Sequence, residues 1–502
     1  MLLTRGGVRS TSLPESELWT KLKTYYSENA VKCWLNDEVP SYVSANGYIA
    51  AKYAKVIVDF ATFHSGERIY VLDIGAGSGQ LGFQVISRIL ELQAYVQTPF
   101  VYIMTDINRV SIEYWRNHRK LQEFIKMGIL DFAVFEISFT EKLPSGVFLE
   151  CAETMVTFGD RPMACVCNYV FDSLIQDAFQ VKNSRLLRAR LEILPEDFIF
   201  TYDVCEQLEI TSCEMLPNGS VESQAALAET IRAMIDTKDK SFLVPLGAIN
   251  FMSFLIEKNP KTMFLIGDKG VHDENQLLGI HDPDIASHGT VSFMLNFHFI
   301  ELFITKMFPC KVVQSKYQQG FNIMGIVPNL KLANSMEHLV RWFDPGQISF
   351  VESLLQSENH MTLENLISWI RITKHDATIL FKLREKLAAA LTSSTPRYRT
   401  VLAAELELAV KFYYPVNSSL DLYFNIGRLF MALKRYERAT EVLWLSRSAF
   451  GSHYATYLNI AICYFHCKEF TQAFDAIQNS LLLKPSHKSS IEWHHRIELC
   501  LL

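Results

Sequence analysis

The chain has no run of eighteen apolar residues; its most apolar stretch, Val291 to Phe308, is interrupted by Asn296, His298, Glu301 and Lys306. A membrane-spanning helix needs about twenty apolar residues in a row, so no membrane partner is expected. There is no block of Lys or Arg either, and the formal net charge is −6. A surface that tracks phosphates needs clustered cations, so nucleic acid is not an expected partner. Closely spaced cysteines are nearly missing: among ten, only Cys165 with Cys167 and Cys463 with Cys467 lie near one another. No second CxxC or His pair completes a zinc site, so no metal is expected, and scattered thiols fit a reducing, cytoplasmic setting. Acidic residues are absent before Glu15, where the opening MLLTRGGVRSTS carries Arg5 and Arg9. That stretch lacks an amphipathic period and reads as a flexible N-terminus over residues 1–14 rather than an organellar presequence. What is present, 502 residues with 49% hydrophobic content, suffices for two or three domains with full cores.

The stretch Val71 to Gly82, VLDIGAGSGQLG, organises the rest. Val71, Leu72 and Ile74 form a short buried strand, and the glycines let the backbone turn and approach a ligand where a Cβ would collide. Leu81 to Leu92 then shows apolar residues at helical spacing. The loop therefore joins a strand to a helix N-terminus, a geometry suited to a polar ligand group. Residues GSGQLG also satisfy the dinucleotide pattern GxGxxG, which is weak by itself. Asp73 favours a different cofactor, because a carboxylate two residues before the first glycine repels a pyrophosphate and attracts a cationic sulfonium. S-adenosylmethionine is the expected cofactor, with Asp73, Gly75, Ala76, Gly77, Ser78 and Gly79 around its amino-acid end.

Upstream, Trp19, Leu22, Tyr25 and Tyr26 recur at helical spacing, as do Tyr48, Ala51, Ala54 and Val58 beyond Asn46-Gly47. This helical pair is expected to cover the cofactor cleft, with Tyr42, Ser44 and Asn46 forming either lid contacts or a plain surface turn. Downstream, Val101 to Thr105 predicts a second strand with Asp106 at its end and Ile107 next. Ligands of open α/β sheets gather outside strand carboxyl ends, where Asp106 can accept both hydroxyls of a ribose. Capping the following helix, Ile112 to Phe124, is its rival role. Phe132 to Phe135 predicts a third strand, with Glu136 either at an adenine edge or simply exposed at a strand end. Met163 to Cys167 predicts a fourth, followed by Asn168, Tyr169, Phe171 and Asp172, so that four strand ends share one cleft. Asn168, Tyr169 and Asp172 are the candidates facing the transferred methyl, and Asn168 is also a cofactor contact.

The order acid, apolar residue, Gly-x-Gly-x-Gly over residues 73–79 resembles the first motif of class I methyltransferases. Together with TDIN at 105–108 and CNYVFDSLIQDAFQV from Cys167 to Val181, it resembles the MidA-like methyltransferases, a family that includes an arginine-modifying enzyme. The family's segment after the fourth strand reads Asn-Glu-x-x-Asp-Ala/Ser-x-Pro. Asn168, Asp172 and Ser173 match it, whereas Tyr169 replaces the glutamate and Ile175 or Gln176 the proline. LIGDKG, from Leu265 to Gly270, resembles the family's Ile-Asp-Tyr-Gly, and Val291 to Phe297 resembles its segment before the next helix. The resemblance spans roughly Glu15 to Val327 and implies a Rossmann-like, seven-stranded mixed sheet. Arginine methylation needs carboxylates that orient the guanidinium and hold its charge. With Tyr169 in place of one, either Asp172 and Asp268 supply that charge or the acceptor is a less basic group.

Between the fourth strand and LIGDKG, a Pro217-Asn218-Gly219 turn and helical runs Ser223 to Ile235 and Ile249 to Ile256 predict inserted helices at about 203–260 that shape a substrate pocket. Phe264 to Ile266 predicts a fifth strand, and the segments 310–313 and 321–327 predict a closing antiparallel hairpin, ending a methyltransferase domain over 15–330. Glycines then thin out, and helices Ile348 to Leu355, Thr362 to Ile372 and Ala377 to Leu391 predict a helical spacer over 331–415, broken at Pro396 and Pro415. Beyond it Tyr423, Asn425, Gly427, Tyr436 and Ala439 recur as Tyr457, Asn459, Ala461, Phe470 and Ala473, each displaced by 34 positions. That is the tetratricopeptide period, so residues 416–502 are expected to form helical repeats, capped by the preceding helices and by Ile491 to Leu501. The sequence thus predicts an α/β methyltransferase with an all-α repeat arm, acting on a protein side chain or recruiting a protein partner. The alternative is a cofactor-binding scaffold that has lost transfer activity. Methylation of a nucleic-acid base is disfavoured, because the paired prolines of that motif are missing.

Overall fold

The computed structural model describes residues 10–35, 45–93, 97, 99–194, 197–205, 215–287, 291–315, 321–341, 353–354, 361–416 and 420–501. Two compact units divide them: residues 1–45 with 49–347, and residues 46–48 with 348–502.

The first unit is built on a mixed sheet whose main strands are β1 (Ile69–Ile74), β2 (Phe100–Asp106), β3 (Leu130–Val134), β4 (Met163–Asn168), β5 (Thr262–Val271), β6 (Lys311–Gln314) and β7 (Phe321–Val327). They lie in the order β6-β7-β5-β4-β1-β2-β3. Strands β1 to β5 run parallel to their neighbours, and β7 runs antiparallel between β5 and β6. Every residue of β2, FVYIMTD, is buried. Such a near-continuous apolar run belongs to a strand covered on both faces. Where seven strands were expected, the sheet has an eighth, because Leu295–Asn296 pairs with Gly270 and Val271 of β5. Gly270 is obligatory there, since a Cβ would fall 2.0 Å from the Leu295 carbonyl oxygen. A two-residue strand carries no periodicity that could announce it.

From β1 the chain runs outward through β2 and β3, then returns to place β4 on the other side of β1. The strand order reverses there, and the crevice outside the carboxyl ends of β1 and β4 is where an open α/β sheet receives a ligand.

The insertion after β4 differs from the helical one expected. Helices Val221–Ala233 and Leu246–Lys258 form, but Asp177–Lys182, Arg185–Ile193, Phe198–Val204 and Lys240–Val244 form an antiparallel sheet with Thr11–Ser12. Its first hairpin turns at Asn183-Ser184, both left-handed with φ of 50° and 58°. A two-residue loop of that kind matches the twist of the flanking strands. Residues 10–14, expected within a flexible tail, are held in place: Thr11 and Ser12 pair with Leu191 and Arg190, and Leu13 is fully buried. The Trp19 indole N–H donates to the Leu13 carbonyl at 2.7 Å. Leu13, Leu18, Trp19 and Leu22 share a second core with Ala178, Leu191, Leu243 and Phe293. Residues 1–9 lie outside the described residues.

Among its described residues the second unit is helical, with Leu363–Ile372, Ala377–Thr392, Pro396–Phe412, Leu422–Ala432, Tyr436–Phe450, Tyr454–His466, Phe470–Leu483 and Lys488–Glu498. Pro396 sits in a first turn, where its missing N–H has no partner to lose. Of the helix expected at 348–355, only 353–354 are described. The spacing of 34 recurs in the backbone: Lys434 and Lys468 each end a helix in the left-handed region, with φ of 58° and 64°. In both turns the next amide reaches back five residues at 2.9 Å, Arg435 to Phe430 and Glu469 to Tyr464. At Gly427 a Cβ would lie 2.7 Å from Leu443 Cγ, so the two helices cross where no side chain fits.

Among the described residues no helix is long and apolar enough to cross a membrane, no cluster of metal-binding side chains occurs, and the cysteines are free thiols.

Candidate functional site

A cavity of about 400 Å³ opens outside the carboxyl ends of β1 to β4. Each strand contributes the residues at or just past its end: Ile74 and Gly75, Asp106 and Ile107, Phe135 and Glu136, Tyr169 and Val170. The roof is helix Glu17–Asn29, begun by Ser16, whose Oγ accepts the Leu18 N–H at 3.3 Å. Trp19, Leu22, Lys23 and Tyr26 line the cavity because spacings of three and four put them on one helix face. Trp34 completes the roof, its ring stacked on Tyr26 at 6.0 Å. The helical cover expected from residues 15–61 is therefore supplied by its first part. Tyr42 and Ser44 lie outside the described residues, and Asn46 is not among the lining residues.

The glycine loop is anchored from beneath. Gly75, Gly77 and Gly79 all have positive φ, at 60°, 56° and 82°. At Gly79 a Cβ would also lie 2.7 Å from Met104 Cε and 3.0 Å from Trp115 Cδ1, so a side chain there meets a strained backbone and forces Met104 to shift. The Ala76 N–H donates to the Thr105 carbonyl at 2.9 Å, and the Trp115 indole N–H donates to the Gly77 carbonyl at 3.1 Å. The Trp34 ring packs over Gly77, 3.1 Å from where a Cβ would stand. Ser78 is buried, its Oγ accepting the Gln80 N–H at a long 3.4 Å. Of this loop only Gly75 lines the cavity.

Asp73 does not stand where the electrostatic argument put it. In a strand successive side chains alternate, so with Ile74 facing the cavity Asp73 turns to the opposite face. There its Oδ2 accepts the Tyr102 hydroxyl at 2.9 Å and lies 3.3 Å from the position of a Gly82 Cβ. It is 2% exposed, and burial pushes its carboxyl up to about 7. Its carboxylate is not among the groups that line the cavity.

Asp106 does line the cavity. It is 6% exposed, its Oδ1 accepts the Asn108 N–H at 2.8 Å, and burial raises its carboxyl to about 6. The rival capping role belongs to Asn108, whose side chain accepts the Val110 N–H at the start of helix Arg109–Asn117. Glu136, the other acid of this region, pairs with Lys23 of the roof at 2.6 Å.

The three residues beyond β4 separate. Tyr169 lines the cavity and holds a left-handed backbone with φ of 52°, unusual for an aromatic residue and a mark of a position fixed by its surroundings. Its N–H donates to the Gly267 carbonyl at 2.8 Å, and burial raises its phenol. Asn168 turns away, its Oδ1 accepting the hydroxyl of fully buried Tyr53 at 2.8 Å. Asp172 also turns away: its N–H donates to Asp268 Oδ2 at 3.0 Å, and its own Oδ1 accepts the Ser173 hydroxyl at 2.9 Å. Burial drives both carboxyls up, and at Asp268 the neighbouring Asp172 adds to the shift. Like charges in a dry site each disfavour the ionised form of the other, which is the sense of the added shift at Asp268.

The sequence reading missed Lys23, Trp34 and Ser173 as lining residues. The helical period of residues 19–26 was the available signal for Lys23; nothing local marked Trp34.

No family model matches the chain, and no curated protein does. Two solved structures of one superfamily, both from Burkholderia thailandensis, are similar to it. An uncharacterized protein in native form matches at TM-score 0.39 and 10% identity, over 63% of this chain and 87% of that one. A second member, bound to S-adenosyl-homocysteine, matches at TM-score 0.36 and 12% identity, over 57% of this chain and 77% of that one.

Proposed function

We propose that the sheet-bearing unit binds S-adenosylmethionine and transfers its methyl group. The observation that carries this reading is the cavity at the strand reversal, where Asp106 and the exposed end of the glycine loop at Gly75 meet. A diphosphate-bearing cofactor needs cations or open backbone N–H groups. The one cation among the lining residues, Lys23, is already paired with Glu136, and of the glycine loop only Gly75 reaches the cavity. A nucleoside with a cationic amino-acid tail instead needs an acceptor for ribose hydroxyls and a close backbone approach, which Asp106 and Gly75 offer.

In this reading the Asp106 carboxylate accepts the ribose hydroxyls, Ile107 and Phe135 flank the base, and Glu136 stands at its edge. The bound cofactor supplies a methyl activated on a sulfonium, and the chain supplies alignment and exclusion of water. Tyr169 is the residue beyond β4 that reaches the acceptor side.

The helical unit is, in the same proposal, a tetratricopeptide-like arm that docks a protein and so makes a protein side chain the acceptor. The 34-residue recurrence in residues and in the Lys434 and Lys468 turns supports it. A silent scaffold is the second reading, favoured by Asp172 and Asn168 turning away from the cavity. Calorimetry with S-adenosyl-homocysteine, NADH and FAD, followed by tritium transfer from labelled S-adenosylmethionine to lysate proteins, tests both. Homocysteine-compound binding with labelled protein product is the expected result. Binding without product supports the scaffold, and uptake of NADH or FAD alone overturns the reading.

A further inference from the structure

The cavity changes character toward β4. Its charged lining residues, Lys23, Asp106 and Glu136, all belong to the roof or to the β2 and β3 ends. The β4 side is walled by Tyr169, Ser173, Leu174, Ile175 and Gly247. Gly247 closes tightly against this wall: its N–H donates to the Ile175 carbonyl at 2.8 Å, and a Cβ on it would fall 2.7 Å from Leu174 Cβ. The acids nearest this side, Asp172 and Asp268, are 5% and 0% exposed and line no part of the cavity.

Two hydroxyls supply the polarity that remains. Ser173 donates its one proton to Asp172 Oδ1 at 2.9 Å, which leaves its oxygen as an acceptor. Asp172 behind it strengthens that acceptor. The Tyr169 hydroxyl makes no hydrogen bond to any described residue. A guanidinium or ammonium placed here would lose its water with no carboxylate in contact, a penalty that burial of an unpaired charge always brings.

We propose that this side of the cavity receives the methyl acceptor as a neutral hydroxyl on an apolar body, that is, a phenol, donating to Ser173 Oγ while its ring packs against Tyr169 and Leu174. As the phenol oxygen bonds to the methyl carbon, the carbon–sulfur bond breaks to leave S-adenosyl-homocysteine; the phenol proton passes to Ser173 Oγ, and Ser173 gives its own to the Asp172 carboxylate. This rests on the S-adenosylmethionine reading above and names the acceptor class for the same site. The phenol has two possible sources, a tyrosine side chain of a protein or a free phenolic compound.

Saturation-transfer NMR on the full chain tests it, using 4-ethylphenol, N-acetyl-tyrosinamide and ethylguanidinium, with and without S-adenosyl-homocysteine. Calorimetry with S-adenosyl-homocysteine alone reads the cofactor assignment separately, so its failure sinks that assignment independently of the phenol result. The expected result is a 4-ethylphenol signal and none from ethylguanidinium. Ser173→Ala weakens the phenol by about three- to tenfold, the loss of one hydrogen bond, and Ser173→Thr restores it. Retained S-adenosyl-homocysteine binding by Ser173→Ala shows that the variant is folded. A signal from N-acetyl-tyrosinamide as well assigns the source to a protein tyrosine; its absence assigns a free phenol. Ethylguanidinium binding in place of 4-ethylphenol, no phenol signal at all, or an affinity indifferent to Ser173→Ala overturns the proposal.

Discussion

At Asp106, burial and ligand binding pull in opposite directions. Removal from water lifts its carboxyl from the ordinary 3.8 to about 6, so between those values the folded chain holds a proton that the unfolded chain has lost. The resulting stabilisation is complete below the ordinary carboxylate range and is lost as pH rises through about 6. Asp106→Asn is therefore expected to stabilise the ligand-free chain at pH about 7.5 by on the order of 1–2 kcal/mol, with little effect at pH about 4, read from urea titrations. The same change should weaken S-adenosyl-homocysteine binding by about 1.5–3 kcal/mol, since charge-assisted hydrogen bonds are lost. Affinity of the unaltered chain should likewise fall below pH about 6, as the acceptor takes up its proton. Affinity unmoved by the substitution would mean that Asp106 does not touch the ligand.

Gly79 offers a second comparison between single residues. Gly79→Ala meets both a left-handed backbone and Met104, and should cost about 2–4 kcal/mol. Gly128→Ala has a φ of 68° with open space around it and should cost only about 1–2 kcal/mol. Equal losses in urea midpoints would show that crowding at Gly79 contributes nothing. Gly79 was legible in the sequence because a glycine-rich loop between a strand and a helix marks a left-handed backbone that glycine adopts at least cost. The orientation of Asp73 was only half legible: period two sets it opposite Ile74, but which face meets the cavity depends on strands far away in the chain.

Elements differ in how openly the sequence declares them. Parallel strands covered on both faces are continuous apolar runs, and β1, β2 and β4 stand out as such. The strands Arg185–Ile193 and Phe198–Val204 are half exposed, the alternation of the first broken by Arg185, Arg188 and Arg190, and the loop joining Asp177–Lys182 to Arg185–Ile193 is Asn-Ser rather than a glycine turn. Thr11–Ser12 is too short to have a period at all. Their contribution is nonetheless large, because the roof helix shares its core with them. Leu13→Ala, in what resembled a loose tail, should destabilise the sheet unit by about 2–5 kcal/mol, as a fully buried leucine would. Because Trp19 hydrogen-bonds to Leu13, the roof should loosen too, and S-adenosyl-homocysteine affinity should fall with stability. A urea midpoint equal to that of the unaltered chain would return residues 10–14 to the status of a tail.

The whole molecule consists of two compact units with unlike architectures, and the cavity belongs to one of them. A ligand stabilises only what unfolds with its site, by about 2.7 kcal/mol at one hundred times its Kd. Scanning calorimetry of the full chain should then show one transition that rises with S-adenosyl-homocysteine and another that does not. Gly427→Leu identifies the second, because the crossing of Leu422–Ala432 with Tyr436–Phe450 has no room for a side chain beside Leu443. That substitution should lower the ligand-insensitive transition and leave the ligand-dependent rise of the other intact. A single transition that rises with S-adenosyl-homocysteine would instead mean that the two units unfold together.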